Sequence, residues 1–558
     1  MLDFETLPHT SNPADTSQAR DNVPGQTVRD EALTTTGPDP PSLIAQFPTE
    51  ILIQIFEKTV SVDLVTDTWD ERHVEIPPRA VGASGCPGFA QVCQQWRSIA
   101  LDSPSLWRYI CMTDPAKWIT EQLLRAQTKP LTLWHFVESD TFVQGTDPFP
   151  RVAFSEPWRI EEIIICTNRE HIFACKGLQQ SYPMLRRVTL FSQARRETFA
   201  VRLSFNGYAS ILGGSAPHLR ELCMFDCQPS HTSPVFQALT KLSMAFSRHY
   251  YSTKLSLNDI LICLQGIPQL EEFYLNDKHS KALSRDHLSE WNAEVHLKRL
   301  RVIEIVGRHE ICVILLYIDC PDICLARLDI DANFSNHDLA FHAICRLAAF
   351  IAGGCPTIES LRFDWKRTIS EWSIELQGCG KQPRTLSFRF HSHYSPGHPD
   401  ESLVHLCEVM PCERLDTLHV GGFFQLSESQ WKRIFARTPG VTKVSIATYS
   451  QSFTDTLSSI STSSHGCHSL PLPSLQSIAL QSCRLSRNSP PSSARYDSLR
   501  NAILTRLPCE GNALHQVDIS DCRISKKTIE ELRSTITVRW DGHRKGHPEF
   551  SGIQPDGW

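Results

Sequence analysis

A proline followed by apolar residues two, five and seven positions later occurs seven times between Pro183 and Leu480. With 35 prolines in 558 residues and 41% apolar residues, chance alone predicts about 1.7 occurrences in this part of the chain. Six begin at Pro183, Pro217, Pro268, Pro356, Pro439 and Pro473. The seventh, at Pro321, is weaker because the small Ala326 fills its middle position. The same apolar spacing without the proline begins at Leu239, Leu300, Leu325, Leu415 and Leu514. First apolar positions from Leu185 onward then step by 34, 20, 31, 30, 25, 33, 57, 26, 34 and 39 residues. The longest step has room for one more unit around Leu386-Ser-Phe-Arg-Phe390.

Within each unit the last two apolar positions are two apart, the period of a strand with one buried face. The spacing predicts a strand of three to five residues per unit, then a return helix or irregular segment. No such unit can bury its apolar face alone, so each must stack on the next. Three units also place a cysteine three residues beyond the last apolar position: Cys227, Cys483 and Cys522. That resembles the L-x-x-L-x-L-x-x-N/C leucine-rich repeat, whose cysteine or asparagine bonds the turning backbone. The resemblance implies an irregular α/β solenoid over residues 151–542, with Ser/Pro-rich surface loops at 458–474 and 486–493 and a tail at 543–558. The competing reading is an ordinary α/β domain with short proline-capped strands.

The N-terminal part has a different composition. Residues 1–42 hold seven acidic residues, two arginines, six prolines, seven threonines and one aromatic, Phe4. Such a segment cannot bury enough apolar surface to offset its ordering entropy and is expected to be disordered. From Leu43 the pattern changes. Phe47, Ile51, Leu52, Ile55 and Phe56 share one helical face, with Pro48 in the first turn and Glu50 near the positive end of the dipole. Residues 61–88, with Pro77-Pro78 and three glycines, read as a loop. Phe89, Val92, Cys93, Trp96, Ile99 and Ala100 mark a second helix, closed by Leu101-Asp-Ser-Pro104, and Pro104–Ile110 is a third short apolar segment.

Taken in order, Phe47-Pro48-x-Glu50-Ile-Leu52-x-x-Ile55-Phe56, Val92-Cys93-x-x-Trp96-Arg97-x-Ile99-Ala100 and Ser103-Pro104-x-Leu106-Trp107 resemble an F-box. The spacing is similar to F-box proteins of mushroom-forming fungi, which often carry a long loop between the first two helices. Trp118-Ile119 and Leu123–Leu133 also resemble the segment after the box in that group. The sequence departs from the pattern in having Phe47 before the proline, where leucine is usual, and in its longer loop. The resemblance implies a short three-helix F-box at 43–112 with the inserted loop 61–88, and a connecting segment at 113–150. It further implies a non-catalytic substrate receptor for ubiquitin-dependent degradation, with a Skp-type adaptor and, through it, a cullin–RING ligase as partner. By analogy, adaptor contacts or their direct support would come from Phe47, Pro48, Ile51, Leu52, Ile55, Phe56, Val92, Cys93, Trp96, Ile99, Pro104, Leu106 and Trp107. Read without the resemblance, the same side chains could form a local core on the repeats. Seventy residues in three short helices bury only a small core, however, so this many large apolar groups leave faces for a partner.

Other classes lose support from composition and motif. Lysine plus arginine number 55 against 61 acidic residues, a net charge of −6, so nothing recommends nucleic acid or an anionic membrane as partner. The longest aliphatic run, Ile311–Ile318, has eight residues, far below the ~20 needed to span a bilayer. The acidic N-terminus lacks the order of a secretion signal, and the expected location is cytoplasmic and/or nuclear. Twenty cysteines lie scattered from Cys86 to Cys522 with no C-x-x-C pair; the closest, Cys223/Cys227 and Cys320/Cys324, lack a histidine couple. They read as small apolar core residues of a reducing compartment. Gly378-Cys-Gly-Lys381 has Glu375 where a phosphate loop needs its first glycine, and neither a G-x-S-x-G elbow nor an H-E-x-x-H helix occurs. His391, His393 and His398 cluster near Asp400, and His465 and His468 flank Cys467, but no spacing there matches a metal motif. No cofactor, metal or catalytic residue is expected. Arg186-Arg187, Lys298-Arg299 and Arg301, next to apolar strand positions, would lie on a solvated face or belong to a ligand-contact surface. The second functional class is an interaction scaffold with no link to ubiquitin transfer.

Overall fold

The proline of the recurring pattern sits at the second position of a β-turn. In the computed structural model, Leu185 N donates to Tyr182 O (3.3 Å), Leu219 to Ala216 (3.0 Å), Leu270 to Ile267 (3.2 Å), Val441 to Thr438 (3.2 Å) and Leu475 to Leu472 (3.1 Å). Proline's fixed φ suits that position, and its missing N–H costs no bond there. The strand begins two residues after the turn's last residue. The structure describes residues 47–60, 88, 90–136, 149–167, 172, 175–192, 215–225, 234–246, 257–277, 294–332, 345–351, 357–366, 371–379, 383–392, 399–410, 412–422, 426–447, 451–459, 461–462, 468–485, 492–506, 514–524 and 526–541. Two units divide the chain, residues 1–52 and 53–558. Of the first, residues 47–52 are described.

The second unit is mixed α/β, built on a 17-stranded, largely parallel sheet. Its strands are β1 (Tyr109–Cys111), β2 (Leu131–Phe136), β3 (Ile160–Thr167), β4 (Arg187–Ser192), β5 (Glu221–Phe225) and β6 (Lys241–Ala245). Next come β7 (Glu272–Asp277), β8 (Val302–Arg308), β9 (Leu325–Ala332), β10 (Thr357–Lys366), β11 (Glu371–Cys379) and β12 (Arg384–Ser392). The last are β13 (Leu415–Gly422), β14 (Lys443–Ile446), β15 (Ser477–Gln481), β16 (Gln516–Ser520) and β17 (Thr537–Trp540).

From β1 to β9 each strand pairs in parallel with the next one in the chain. The apolar positions stack in rows: Val188, Leu222, Leu242, Phe273 and Ile303 are successive register partners, as are Leu190, Met224, Met244, Leu275 and Ile305. All ten are buried. The frame at β9 corrects the sequence reading. Leu325 is opposite Val302 and Ala326 opposite Ile303, so this unit starts at Ile323, in the frame of Pro321, and not at Leu325. Ala326 suffices because its partners on either side, Ile303 and Leu386, are large.

The long step between units holds an antiparallel meander, β10–β11–β12. Its last strand pairs in parallel with β9 and its first with β13, so among the described strands of this sheet β11 alone runs against the rest. The extra unit expected around Leu386 is β12, with Leu386 and Phe388 opposite Ala326 and Leu328. From β13 to β17 pairing is again parallel and sequential, through Leu418, Val444, Ile478, Val517 and Val538. The sheet also starts earlier than residue 151: β1 lies in the expected helical module and β2 in the expected connecting segment. β1 follows a proline turn of its own, with Pro104 at the second position and Leu106 N donating to Ser103 O (3.1 Å), and β2 begins directly after Pro130.

Helices α1 (Thr49–Val60), α2 (Gln94–Asp102) and α3 (Ala116–Arg125) precede or flank the first strands. Return segments further on include α4 (Leu257–Gln265), α5 (Pro399–Val409), α6 (Glu428–Arg437), α7 (Gln451–Ser458), α8 (Ser492–Arg506) and α9 (Lys526–Arg533). Helices α5 to α8 lie side by side in chain order. Trp431 and Phe435 of α6 meet Phe453 of α7 with ring centroids 5.0 and 5.9 Å apart, the kind of aromatic cluster that anchors a helical layer. Among the described residues no helix is long and apolar enough to cross a membrane.

Candidate functional site

Helix α1 starts where the sequence predicts. Ile51 N and Leu52 N both donate to Pro48 O (3.0 and 3.2 Å), while Glu50 in the first turn and Lys58 in the last complement the dipole. Its apolar residues divide between two stripes. Leu52 is 1% exposed and Phe56 is buried, one turn apart on the inner stripe, whereas Ile51 and Ile55 on the neighbouring stripe are 40% and 46% exposed. Phe47, before the helix, is also exposed.

Helix α2 is held to α1 through Phe56 and Trp96, whose rings lie 4.8 Å apart. Its N-cap is Cys93, extended at φ −156°, whose Sγ accepts from Trp96 N at 3.4 Å. Just before it, Val92 is 60% exposed. Sulfur is a weak acceptor compared with a hydroxyl. Cys93→Ser is therefore expected to stabilise the chain by a few tenths of a kcal/mol, read as a higher urea midpoint at unchanged slope.

The third expected helix is a single 3-10 turn, Pro104–Trp107, leading directly into β1. Ser103 closes α2 by donating from Oγ to Ile99 O (2.6 Å), and Trp107 Nε1 donates to Ala100 O (2.8 Å). The Trp107 ring lies against Trp118 at 5.8 Å, with the Arg125 guanidinium 4.9 Å from its centre. Trp107 is thus an internal anchor tying the 3-10 turn to α3.

The thirteen residues named from sequence separate cleanly. Phe47, Pro48, Ile51, Ile55, Val92 and Cys93 are exposed; Trp96 and Pro104 are half-buried; Leu52, Phe56, Ile99, Leu106 and Trp107 are buried. The sheet face opposite the stacked apolar rows, to which the candidate Arg187 belongs, carries charge along most of its length, with Glu162, Arg187, Glu221, Lys241 and Glu272 in register on β3 to β7. One row runs Glu304, Arg327, Ser387, Glu375, Arg362 and His419 on successive strands.

Next to that row stands Asp364, with Oδ2 accepting from Arg362 Nε at 2.5 Å and Oδ1 3.3 Å from His419 Nε2. Burial alone would raise its carboxyl, but the His419 and Arg362 contacts outweigh it and hold the group below the usual carboxylate range. Gly421 permits this arrangement, because a Cβ there would fall 1.7 Å from Asp364 Oδ1. Gly421→Ala is expected to expel the carboxylate and cost about 1–3 kcal/mol, read by urea denaturation. Sequence reasoning missed this node, since its members lie 55 positions apart and no short spacing links them.

Described cysteines are mostly buried, Cys93 being exposed. Burial pushes the Cys223, Cys263, Cys320 and Cys345 thiols up to about 12, far from nucleophilic character. Among the described residues no group of three or more His, Cys, Asp or Glu could hold a metal ion. His393, His398, His465 and Cys467 lie outside the described residues, as do the side chains of His391 and Asp400.

No protein-family model and no curated protein matches the chain. A solved structure from Bacteroides fragilis, a structural genomics target, covers 59% of this chain and 67% of its own at 8% identity and a TM-score of 0.21. That is too slight a likeness to bear on fold or activity.

Proposed function

We propose that this chain is a non-catalytic substrate receptor of a Skp–cullin–F-box ubiquitin ligase. An F-box at 43–112 would bind the Skp-type adaptor, and a leucine-rich-repeat-like array built on the parallel strands would present a protein substrate. The observation that carries the reading is the split on α1. A helix that needed its apolar residues only for an internal core would bury Ile51 and Ile55 as it buries Leu52 and Phe56. Both isoleucines stay exposed, as do Phe47 and Val92, although covering the open part of each side chain would contribute roughly 1 kcal/mol. Large apolar groups kept at the surface next to a well-buried stripe fit a partner interface.

The mechanism is proximity. Holding adaptor and substrate together raises the effective concentration of substrate lysines near the ubiquitin-charged enzyme, so the receptor needs no reactive side chain. The charged row from Glu304 to His419, in which Arg327, Glu375 and Arg362 are exposed, is the substrate surface on this reading. The scaffold alternative uses the same face without an adaptor, and partner turnover separates the two. The test is co-expression with a Skp-type adaptor followed by size-exclusion chromatography. Co-elution as a stoichiometric complex is expected; a folded chain eluting alone would remove the receptor reading.

A further inference from the structure

Beyond the stacked apolar rows, β15 and β16 end in matching turns. Gln481 is opposite Ser520, and after the turns Arg484 is opposite Arg523, so Cys483 and Cys522 fall in register between them. Each cysteine comes directly after a residue held at positive φ, Ser482 at 51° and Asp521 at 50°. Ser482 Oγ bonds Asp521 Oδ2 at 3.0 Å, which fixes one turn on the other. Both sulfurs point inward, at 2% and 3% exposure. Cys483 N donates to Cys522 Sγ at 3.2 Å, and Cys522 Sγ lies 3.5 Å from Leu480 O. Neighbouring strands are about 4.8 Å apart, inside the Cα separation of about 4.4–6.8 Å that a disulfide spans.

We propose that Cys483 and Cys522 form an oxidative modification site, converted to a disulfide by a small peroxide and locking two successive turns of the sheet. The Cys522 thiolate displaces hydroxide from hydrogen peroxide to give a sulfenic acid. The Cys483 sulfur then attacks that sulfur, loses its proton and releases water. Two thiols are oxidised, one peroxide is reduced, and two waters form in all. Cys522 is the attacking group because the Cys483 contact and its amide hold that thiol below the usual range despite burial. Burial pushes the Cys263 thiol up to about 12, and the Cys407 thiol, although it contacts Cys412, is held well above the usual range and not below it.

The test uses the full chain, treated with hydrogen peroxide, alkylated, digested without reductant and sequenced by tandem mass spectrometry, which separates these cysteines from Cys467 and Cys509 on the same tryptic peptides. A Cys483–Cys522 cross-link reversed by reductant is expected. Closing the 39-residue separation should also raise the melting temperature by a few degrees, and Cys522→Ser should lose both effects while keeping the parent's circular dichroism. Oxidation at exposed Cys93 with Cys483 and Cys522 both recovered as thiols would overturn the proposal.

Discussion

Replacing Ile51 and Ile55 together by aspartate is expected to weaken adaptor binding at least ~100-fold, because two carboxylates would be buried without partners. The same double variant should stay folded. Both positions are about half exposed, where substitutions usually change stability by less than about 1 kcal/mol each, and an aspartate early in α1 suits the dipole. The choice of residues matters. A variant carrying Leu52→Asp would place a charge at a position 1% exposed and unfold the helix, so its failure to bind would mean nothing. Titrating parent and variant with adaptor by calorimetry gives the comparison. Equal affinities would show that this stripe of α1 is not the contact surface.

The Arg159→Met substitution is expected to destabilise the chain by about 3–5 kcal/mol, the usual cost of removing one partner from a buried charged network. Arg159 is 1% exposed, and its guanidinium joins segments far apart in sequence. Nε donates to Glu156 at 2.7 Å, Nη2 to Leu123 O at 3.0 Å, and Nη1 to Lys129 O at 3.3 Å and to Gln127 O. Those carbonyls belong to the end of α3 and the turn into β2, where Gln127 sits at a φ of 50°. Methionine fills similar volume but leaves the carbonyls and the Glu156 carboxylate without their donor. A fall in the urea midpoint of less than the equivalent of 1 kcal/mol would mean that water replaces the guanidinium and the network is not essential.

Much of the sheet could be placed from residue spacing because the same apolar offsets with period-two burial recur, after a proline at β4, β5, β7, β9, β10, β14 and β15 and without one at β6, β8, β13 and β16. Val188, Leu222 and Phe273 appear where that spacing puts them. The expectation failed at β2, where Leu131, Leu133 and His135 turn inward but Pro130 directly precedes the strand instead of standing at the recurring offset. At β9 a small residue, Ala326, hid the true frame, because its volume is supplied by neighbours that only the register reveals. The meander was invisible for a related reason: antiparallel β11 looks like its parallel neighbours in sequence.

The site shows the same limit. Helical periodicity puts Ile51, Leu52, Ile55 and Phe56 on one broad face, yet only packing separates the buried stripe from the exposed one. Asp364, Arg362, His419 and Gly421 converge from two strands, and no local pattern could have joined them.

The most direct measurement of the central claim is hydrogen exchange of the full chain with and without a Skp-type adaptor, read by mass spectrometry. Residues 47–59 and 90–102 are expected to gain protection in the complex while β13 to β17 are unchanged. Exchange that stays the same everywhere, or protection confined to the sheet face, would contradict it.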